Sequence, residues 1–243
     1  MSIQEPEQKN RREECVVLLH GMGRSYSSMS AMQNSLTMSG YHTVNIGYPS
    51  TRKTIEAIVD SRYPVALEKC EQFSPTTVHF VTHSLGGIIL RKALTGNKPE
   101  KLGRVVMLSP PNRGSEVVDA IKDWLLFRWL MGPAGQQLST REDSVPNQLG
   151  AVDYPVGVIT GNQHAFFDHL FAKIIPGLDD GKVSIERAKV TGMSDFLIVN
   201  ESHPYIMDSR YVQFETGYFL KHGCFKHVKE PMDSASGSDW YSK

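Results

Sequence analysis

The amino-acid sequence predicts an α/β fold, with a mostly parallel β-sheet covered by helices on both faces. Strand-like and helix-like segments alternate along the 243 residues. Several strand-like segments are apolar throughout, which is typical of strands buried on both sides in a parallel sheet. The length suits one domain, or one domain that carries an inserted cap.

Six short segments rich in β-branched and other apolar residues are predicted strands: 15–21, 42–49, 78–82, 104–109, 156–160 and 196–200. Four segments are predicted helices: 25–39, which ends before Gly40, then 54–73, 86–96 and 208–221. Pro64 lies inside the second of these helices. We therefore expect a kink or a break there, because proline lacks the N–H that an inner helical position donates.

A long segment at about 113–150 interrupts the alternation, and its residues 119–132 are rich in large apolar side chains. This segment is either a cap over the site or a helix packed firmly on the body, and the sequence leaves both open. The charged residues 1–14 predict a flexible arm, and the Ser- and Gly-rich residues 229–243 predict a disordered tail. A single domain is then expected over 15–228.

Composition excludes several classes of function. The formal net charge is zero, so no basic excess exists to bind nucleic acid. No apolar stretch is long enough for a transmembrane segment, and no signal peptide is visible, so we expect a cytoplasmic protein. The three cysteines, Cys15, Cys70 and Cys224, form no CxxC pair. Their odd number indicates neither a disulfide framework nor a zinc site, and we expect reduced thiols.

The most informative stretch is VHFVTHSLGG, residues 78–87, in which Ser84 follows a predicted strand and precedes a predicted helix. A sharp strand–turn–helix presents a nucleophilic serine at its tip, and small residues are needed around it. Gly86 and Gly87 supply them after the serine, whereas Thr82 stands at the position of the usual first glycine. The alternative is an ordinary serine N-cap of the helix 86–96.

A nucleophilic serine needs a histidine base, and on this fold that histidine comes late in the chain. His203 directly follows the predicted strand 196–200 and is the best candidate, the alternative being a solvent-exposed loop histidine. The other downstream histidines are placed in a predicted loop or near the tail: His164, His169, His222 and His227.

The base in turn needs an acid from the loop between the fifth strand and His203. The segment 177–184, GLDDGKVS, offers two carboxylates in an Asp-Asp-Gly turn. Asp180 is the first choice, Asp179 the second and Asp195 a distant third. Simple turn chemistry is the alternative role for either residue of the pair.

An oxyanion hole is the third requirement. One N–H donor is expected from Leu85, the residue after the nucleophile, and another from the loop after the first strand, HGMGR, at Met22. The glycines on either side of Met22 let that backbone approach a substrate closely. His20 and His83 are interpreted as buried, hydrogen-bonded loop histidines.

The motifs LLHGMGR, THSLGG, DDGKV and SHP in this order resemble an α/β-hydrolase of the bacterial lipase/esterase kind, over roughly residues 15–222. The resemblance implies the α/β-hydrolase fold with a small helical cap insertion. It also implies a Ser84, Asp180 and His203 triad with oxyanion donors at Met22 and Leu85. The stretch SPPNRGS, residues 109–115, is similar to the Pro-His-x-Gly-Ser segment that precedes the lid in such lipases, with Asn112 in place of the histidine.

These observations predict a serine hydrolase that cleaves carboxylic esters through an acyl-enzyme. No metal or organic cofactor is expected, and the expected partner is a small-molecule or lipid-like ester. An acyltransferase with the same triad and a non-catalytic binding module on the same fold remain the alternatives. Thioester or amide substrates and the oligomeric state stay open at this point.

Overall fold

The computed structural model describes residues 13–121, 123, 125–165 and 175–228, apart from the side chains of 125–130. Six parallel strands form one sheet in the order β2-β1-β3-β4-β5-β6. They are β1 (Glu14–Leu19), β2 (His42–Ile46), β3 (Thr77–His83), β4 (Leu102–Leu108), β5 (Val156–Gln163) and β6 (Asp195–Ser202). All five neighbouring pairs are parallel, which confirms the predicted sheet.

Helices cover both faces of this sheet. They are α1 (Ser30–Met38), α2 (Ile55–Glu71), α3 (Leu85–Gly96), α4 (Glu116–Ile121), α5 (Leu125–Gln136), α6 (Val145–Gln148), α7 (Ile185–Ala188) and α8 (Arg210–His222). Alternate residues of β1 belong to two separate apolar cores, with Val17 on the face covered by α2 and α3, and Val16 on the face covered by α1 and α8. Burial on both sides explains why the strands are apolar throughout.

We expected a kink or a break at Pro64, and the break is wrong, because helix α2 runs without interruption from Ile55 to Glu71. Pro64 lies on the exposed side of the helix. The carbonyl that it leaves without an intrahelical donor belongs to Asp60, which is also exposed, and water can satisfy it.

Cys15 and Cys70 form a disulfide, with their Cα atoms 5.9 Å apart. The expectation of three reduced thiols is therefore wrong for this pair, and only Cys224 is a free cysteine. The packing of α2 against β1 brings together two residues that are separated by 55 positions in the sequence. Spacing along the chain does not reveal such a contact.

The C-terminal part of the predicted cap segment is packed on the body. Ala134 and Leu138 are buried in the main core. The Gln137 side chain accepts a hydrogen bond from the Ile55 N–H (2.7 Å) and donates one to Glu56 (2.8 Å), so it caps the start of α2. These contacts favour a helix fixed on the body for this half of the segment.

The flexible arm was predicted over residues 1–14, whereas Glu14 belongs to β1. Residues 1–12 and the tail 229–243 lie outside the described residues. Within the described ranges, none of the helices combines the length and apolarity that a membrane span requires.

Candidate active site

Ser84 occupies a strained turn between β3 and α3, with φ 51° and ψ −121°. Such a conformation is costly for a non-glycine residue and is found where the surrounding structure enforces it. Gly86 makes the turn possible, since a Cβ there would lie 2.6 Å from the carbonyl oxygen of Leu19 and 2.9 Å from that of His20. The serine is thereby held at the carboxyl edge of the sheet, as the motif predicts.

Thr82 replaces the usual first glycine of this turn, and the structure shows how it fits. The residue is fully buried. It lies opposite Gly87, where a Cβ would be 3.4 Å from Thr82 Oγ1 and 3.1 Å from the Pro110 side chain. Thr82 Oγ1 is thus at ordinary contact distance from this position, and the side chain fits beside the turn without a clash.

The structure brings Ser84, His203 and Asp180 into one line of hydrogen bonds. His203 Nε2 lies 3.0 Å from Ser84 Oγ, and His203 Nδ1 lies 2.8 Å from Asp180 Oδ2. With the proton on Nδ1, His203 donates to the carboxylate and its Nε2 can accept the serine hydroxyl proton. This is the geometry of a nucleophile, a base and an orienting acid.

The Asp180 carboxylate is fully buried, and its Oδ1 accepts hydrogen bonds from the backbone N–H groups of Val183 (2.9 Å) and Lys182 (3.1 Å). Burial by itself raises the pKa of Asp180. The charge of His203 and the hydrogen bonds from His203 and Val183 outweigh burial and hold that pKa below its ordinary value of 3.8. The group is therefore an anion throughout the neutral range.

The two other acid candidates are engaged elsewhere. Asp179 Oδ1 accepts from the Gly181 N–H (2.7 Å) and lies 2.8 Å from His164 Nε2. Asp195, at the start of β6, lies 3.0 Å from His227 Nε2. Of the other downstream histidines that were considered as the base, His222 is the last residue of α8, and His169 lies outside the described residues.

The two candidate oxyanion donors are available. Leu85 is the first residue of α3, so its N–H has no carbonyl four residues back within the helix. Across the described ranges, the N–H of Met22 likewise has no hydrogen-bond acceptor. The adjacent Gly23 N–H donates to Ser50 Oγ (3.0 Å), which fixes the loop that carries Met22. The sequence analysis did not single out Ser50.

His20 and His83 are buried and hydrogen-bonded, as predicted, but His83 is the last residue of β3 and not a loop residue. Tyr48 N–H donates to His20 Nε2 (3.3 Å), so His20 Nδ1 donates to the Gly21 carbonyl (2.8 Å). Burial lowers the pKa of His20, although the Gly21 hydrogen bond opposes this. Burial, followed by the charge of His203, lowers the pKa of His83 well below its ordinary value of 6.5.

The segment that follows β4 is hydrogen-bonded to the loop that carries Asp180. The Ser115 hydroxyl donates to the Lys182 carbonyl (2.8 Å). Arg187 Nε donates to Glu116 Oε1 (2.8 Å). The last residue of SPPNRGS is thus bonded to the acid loop, and the neighbouring Glu116 to the helix that follows this loop. The sequence could not show these contacts, because the partners lie about 70 residues away.

A cavity of about 350 Å³ opens at Ser84. Its lining combines apolar, histidine and cationic side chains: Met22, Arg24, His83, Ser84, Ala165, Lys182, His203, Pro204 and Tyr205. Arg24 also donates to the Pro204 carbonyl (2.8 Å), beside His203. Among the described residues, no group of three or more His, Cys, Asp or Glu side chains could hold a metal ion.

The parallel sheet, the strained serine turn, and the order of Ser84, Asp180 and His203 along the chain are those of an α/β-hydrolase. The chain therefore has the α/β-hydrolase fold, as predicted. Solved structures with this fold agree with the resemblance to lipases and esterases that the motifs indicate.

Mature Bacillus licheniformis lipase BlEst2 is 19% identical, with a TM-score of 0.68 over 91% of this chain and 95% of that chain. The Paleococcus ferrophilus monoacylglycerol lipase is 15% identical, with a TM-score of 0.54 over 86% of this chain and 94% of that chain. Legionella pneumophila phospholipase PlaB is 18% identical, with a TM-score of 0.58 over 72% of this chain and 45% of that chain. No protein-family model and no curated protein matches the chain. At these identities the likeness establishes the fold alone.

Proposed function

We propose that this protein is a serine hydrolase that cleaves carboxylic esters through an acyl-enzyme. The observation that carries the proposal is the continuous hydrogen-bonded line from Ser84 through His203 to Asp180. It lies beside two backbone N–H groups, those of Met22 and Leu85, that have no acceptor in the described part of the chain.

Acylation begins when His203 Nε2 takes the Ser84 hydroxyl proton and Ser84 Oγ attacks the ester carbonyl. The carbonyl oxygen becomes an oxyanion, which the N–H groups of Met22 and Leu85 stabilise. Asp180 keeps the His203 proton on Nδ1 and stabilises the imidazolium. His203 then gives its Nε2 proton to the departing alcohol, which leaves Ser84 acylated.

Water resolves the acyl-enzyme by the same steps in reverse. His203 accepts a proton from water, and the oxygen attacks the acyl carbonyl. The second oxyanion collapses, Ser84 Oγ recovers the proton from His203, and the carboxylic acid leaves. Structural neighbours named as lipases, a carboxyl esterase and a monoacylglycerol lipase support ester substrates for this site.

The test is hydrolysis of p-nitrophenyl acetate, butyrate and octanoate by the wild type, Ser84→Ala and the exposed-serine control Ser61→Ala. We expect the control to match the wild type and Ser84→Ala to lose roughly 10⁴-fold or more in kcat. A fluorophosphonate probe should label Ser84 and no other serine. Equal hydrolysis rates for all three proteins, or labelling at another residue, would contradict the proposal and favour a non-catalytic binding module.

The acyltransferase alternative uses the same residues and differs in what attacks the acyl-enzyme. Butyrate ester turnover in the presence of an added alcohol separates the two. Predominant release of free butyric acid supports a hydrolase, whereas predominant formation of the new ester identifies a transferase.

A further inference from the structure

A second cavity, of about 320 Å³, lies between α3 and the segment 149–154 that leads into β5. Its described lining shares no residue with the cavity at Ser84: Arg91, Leu94, Thr95, Lys98, Leu149, Ala151, Val152, Asp153 and Tyr154. This volume falls at the small end of the range for ligand sites, about 300–1,000 Å³. The proposed ester hydrolysis makes no use of it.

Arg91 is buried in the wall of this cavity, with 3% of its surface exposed. Its Nη1 donates to the Asn112 main-chain oxygen (2.9 Å) and to Asn112 Oδ1 (3.1 Å), and its Nη2 donates to the Gly150 carbonyl (2.6 Å). A guanidinium has five N–H donors in a fixed fork. Nε–H and one Nη2–H therefore remain without an acceptor among the residues that the structure describes.

The positive charge of Arg91 is also uncompensated. In the described ranges no ion pair involves Arg91, and its three hydrogen-bond acceptors are uncharged oxygens. Burial lowers the pKa of Arg91 to about 10, which still leaves the side chain protonated at neutral pH. A buried charge without a counter-charge is costly, and an anion in the cavity would remove that cost.

Tyr154 brings a second unused donor to the same cavity. Its hydroxyl is buried and has no hydrogen-bond partner within the described part of the chain. Tyr154 and Arg91 line the same cavity. Burial raises the pKa of Tyr154 to about 12, although the charge of Arg91 opposes that rise. A neutral tyrosine hydroxyl can donate to an anion that already binds the guanidinium.

The other residues that line the cavity indicate the chemistry of the rest of the ligand. Leu94, Leu149 and Val152 are apolar and face the cavity. Lys98 and Asp153 form an ion pair at the rim, where both side chains are partly exposed, so they balance one another. The cavity therefore offers donors for one anionic group and an apolar surface for a short chain.

We propose that this cavity binds a small aliphatic carboxylate. The carboxylate oxygens accept hydrogen bonds from Nε–H and Nη2–H of Arg91 and from the Tyr154 hydroxyl. Arginine engages a carboxylate through two parallel N–H bonds, which matches the pair of donors that Arg91 leaves unused. The alkyl chain packs against Leu94, Leu149 and Val152.

Calorimetric titration of the full chain with hexanoate, and with neutral hexanamide as the matched control, tests the proposal in solution. We expect hexanoate to bind at least tenfold more tightly than hexanamide, because a charged acceptor forms stronger hydrogen bonds than a neutral one. Tyr154→Phe keeps the ring and should weaken hexanoate binding several-fold. Tyr205→Phe, in the cavity at Ser84, should leave it unchanged.

Arg91→Lys keeps the positive charge but lacks the two parallel N–H donors of the guanidinium. It should weaken hexanoate binding about tenfold or more. Because Arg91 also holds Asn112 and Gly150, this variant is judged only where its unfolding temperature matches that of the wild type. Tyr154→Phe touches none of those contacts and carries the test if Arg91→Lys does not fold.

A crystal structure with 6-bromohexanoate locates the ligand directly. Anomalous bromine density in this cavity, with the carboxylate at Arg91, supports the proposal. Density only beside Ser84, equal binding of hexanamide, or no binding by the folded wild type overturns it. None of these outcomes alters ester hydrolysis at Ser84, so the two proposals succeed or fail separately.

Discussion

The His83 imidazole donates from Nε2 to the main-chain carbonyl of His203, at a distance of 3.0 Å. His83 Nδ1 is buried and has no partner among the described residues, as fits a neutral ring with its proton on Nε2. The residue before the candidate nucleophile thus holds the backbone of the candidate base.

Removing this hydrogen bond should impair turnover more than binding. We expect His83→Leu to lower kcat for p-nitrophenyl butyrate about tenfold, the value of one hydrogen bond, with little change in KM. His83→Gln restores a donor and should recover part of the loss. His42→Leu, at a histidine stacked on Phe73 away from the site, is the control. An unchanged kcat in His83→Leu would rule out a positioning role.

The lowered pKa of His83 also predicts how stability depends on pH. Folded His83 stays neutral, whereas the unfolded chain binds a proton there below about pH 6.5. The unfolded state then holds more protons, so the contribution of His83 to the free energy of unfolding is full above pH 6.5 and falls as the pH drops below it. His20 acts in the same direction.

Urea unfolding from pH 8 to pH 5 measures this dependence. The wild type should lose stability below pH 6.5, and His83→Gln should lose less over the same interval. Asp180 does not affect this comparison. Its pKa lies below the ordinary value of 3.8, so its contribution to the free energy of unfolding is lost only at a pH below the interval measured. Parallel curves for the two proteins would contradict the prediction.

Two glycines of α3 should respond in opposite ways to alanine. A Cβ on Gly86 meets two backbone carbonyl oxygens, those of Leu19 and His20, which cannot move aside without shifting β1, whereas one on Gly96 meets nothing within 4 Å. We expect Gly86→Ala to lower the free energy of unfolding by about 2 kcal/mol or more. Gly96→Ala should raise it by about 0.5–1 kcal/mol, since alanine is the better helix former. Urea denaturation measures both, and equal effects would be inconsistent with this packing.

The disulfide between Cys15 and Cys70 predicts one titratable thiol in the unreduced, denatured protein, that of Cys224. The closed loop spans 55 residues, and the chain-entropy model assigns such a loop about 4 kcal/mol. We expect Cys70→Ala to lower the free energy of unfolding by about 2–4 kcal/mol, and Cys224→Ala to leave it nearly unchanged. Three reactive thiols in protein purified without reductant would contradict the pairing.

Arg24 and Lys182 place two cations in the lining of the cavity at Ser84, and the described residues of that lining include no Asp or Glu. We expect the p-nitrophenyl monoester of succinic acid to gain in kcat/KM relative to p-nitrophenyl butyrate. Arg24→Gln and Lys182→Gln should each reduce this preference roughly two- to fivefold, as should added salt. Lys189→Gln, outside the cavity, is the control. A preference that none of these changes moves would exclude a role for the two cations.

The sequence was sufficient to predict the order and type of the six strands, because apolar runs closed by turn residues are local signals. It was also sufficient to nominate Ser84, Asp180 and His203 together. Ser84 and His203 each follow a predicted strand, and in a parallel sheet the carboxyl ends of the strands meet at one edge. Asp180 lies in the predicted loop between the fifth strand and His203. The break expected at Pro64 failed because the exposure of that residue depends on how α2 packs.

Only the tertiary structure decided which carboxylate reaches His203. Asp179 and Asp180 are adjacent in the sequence, yet their side chains turn to different histidines, His164 and His203. The same holds for the disulfide between Cys15 and Cys70 and for the unused donors of Arg91. Each depends on the direction of a side chain and on a distance between residues far apart in the chain. Local pattern fixes the elements, whereas packing fixes which atoms meet.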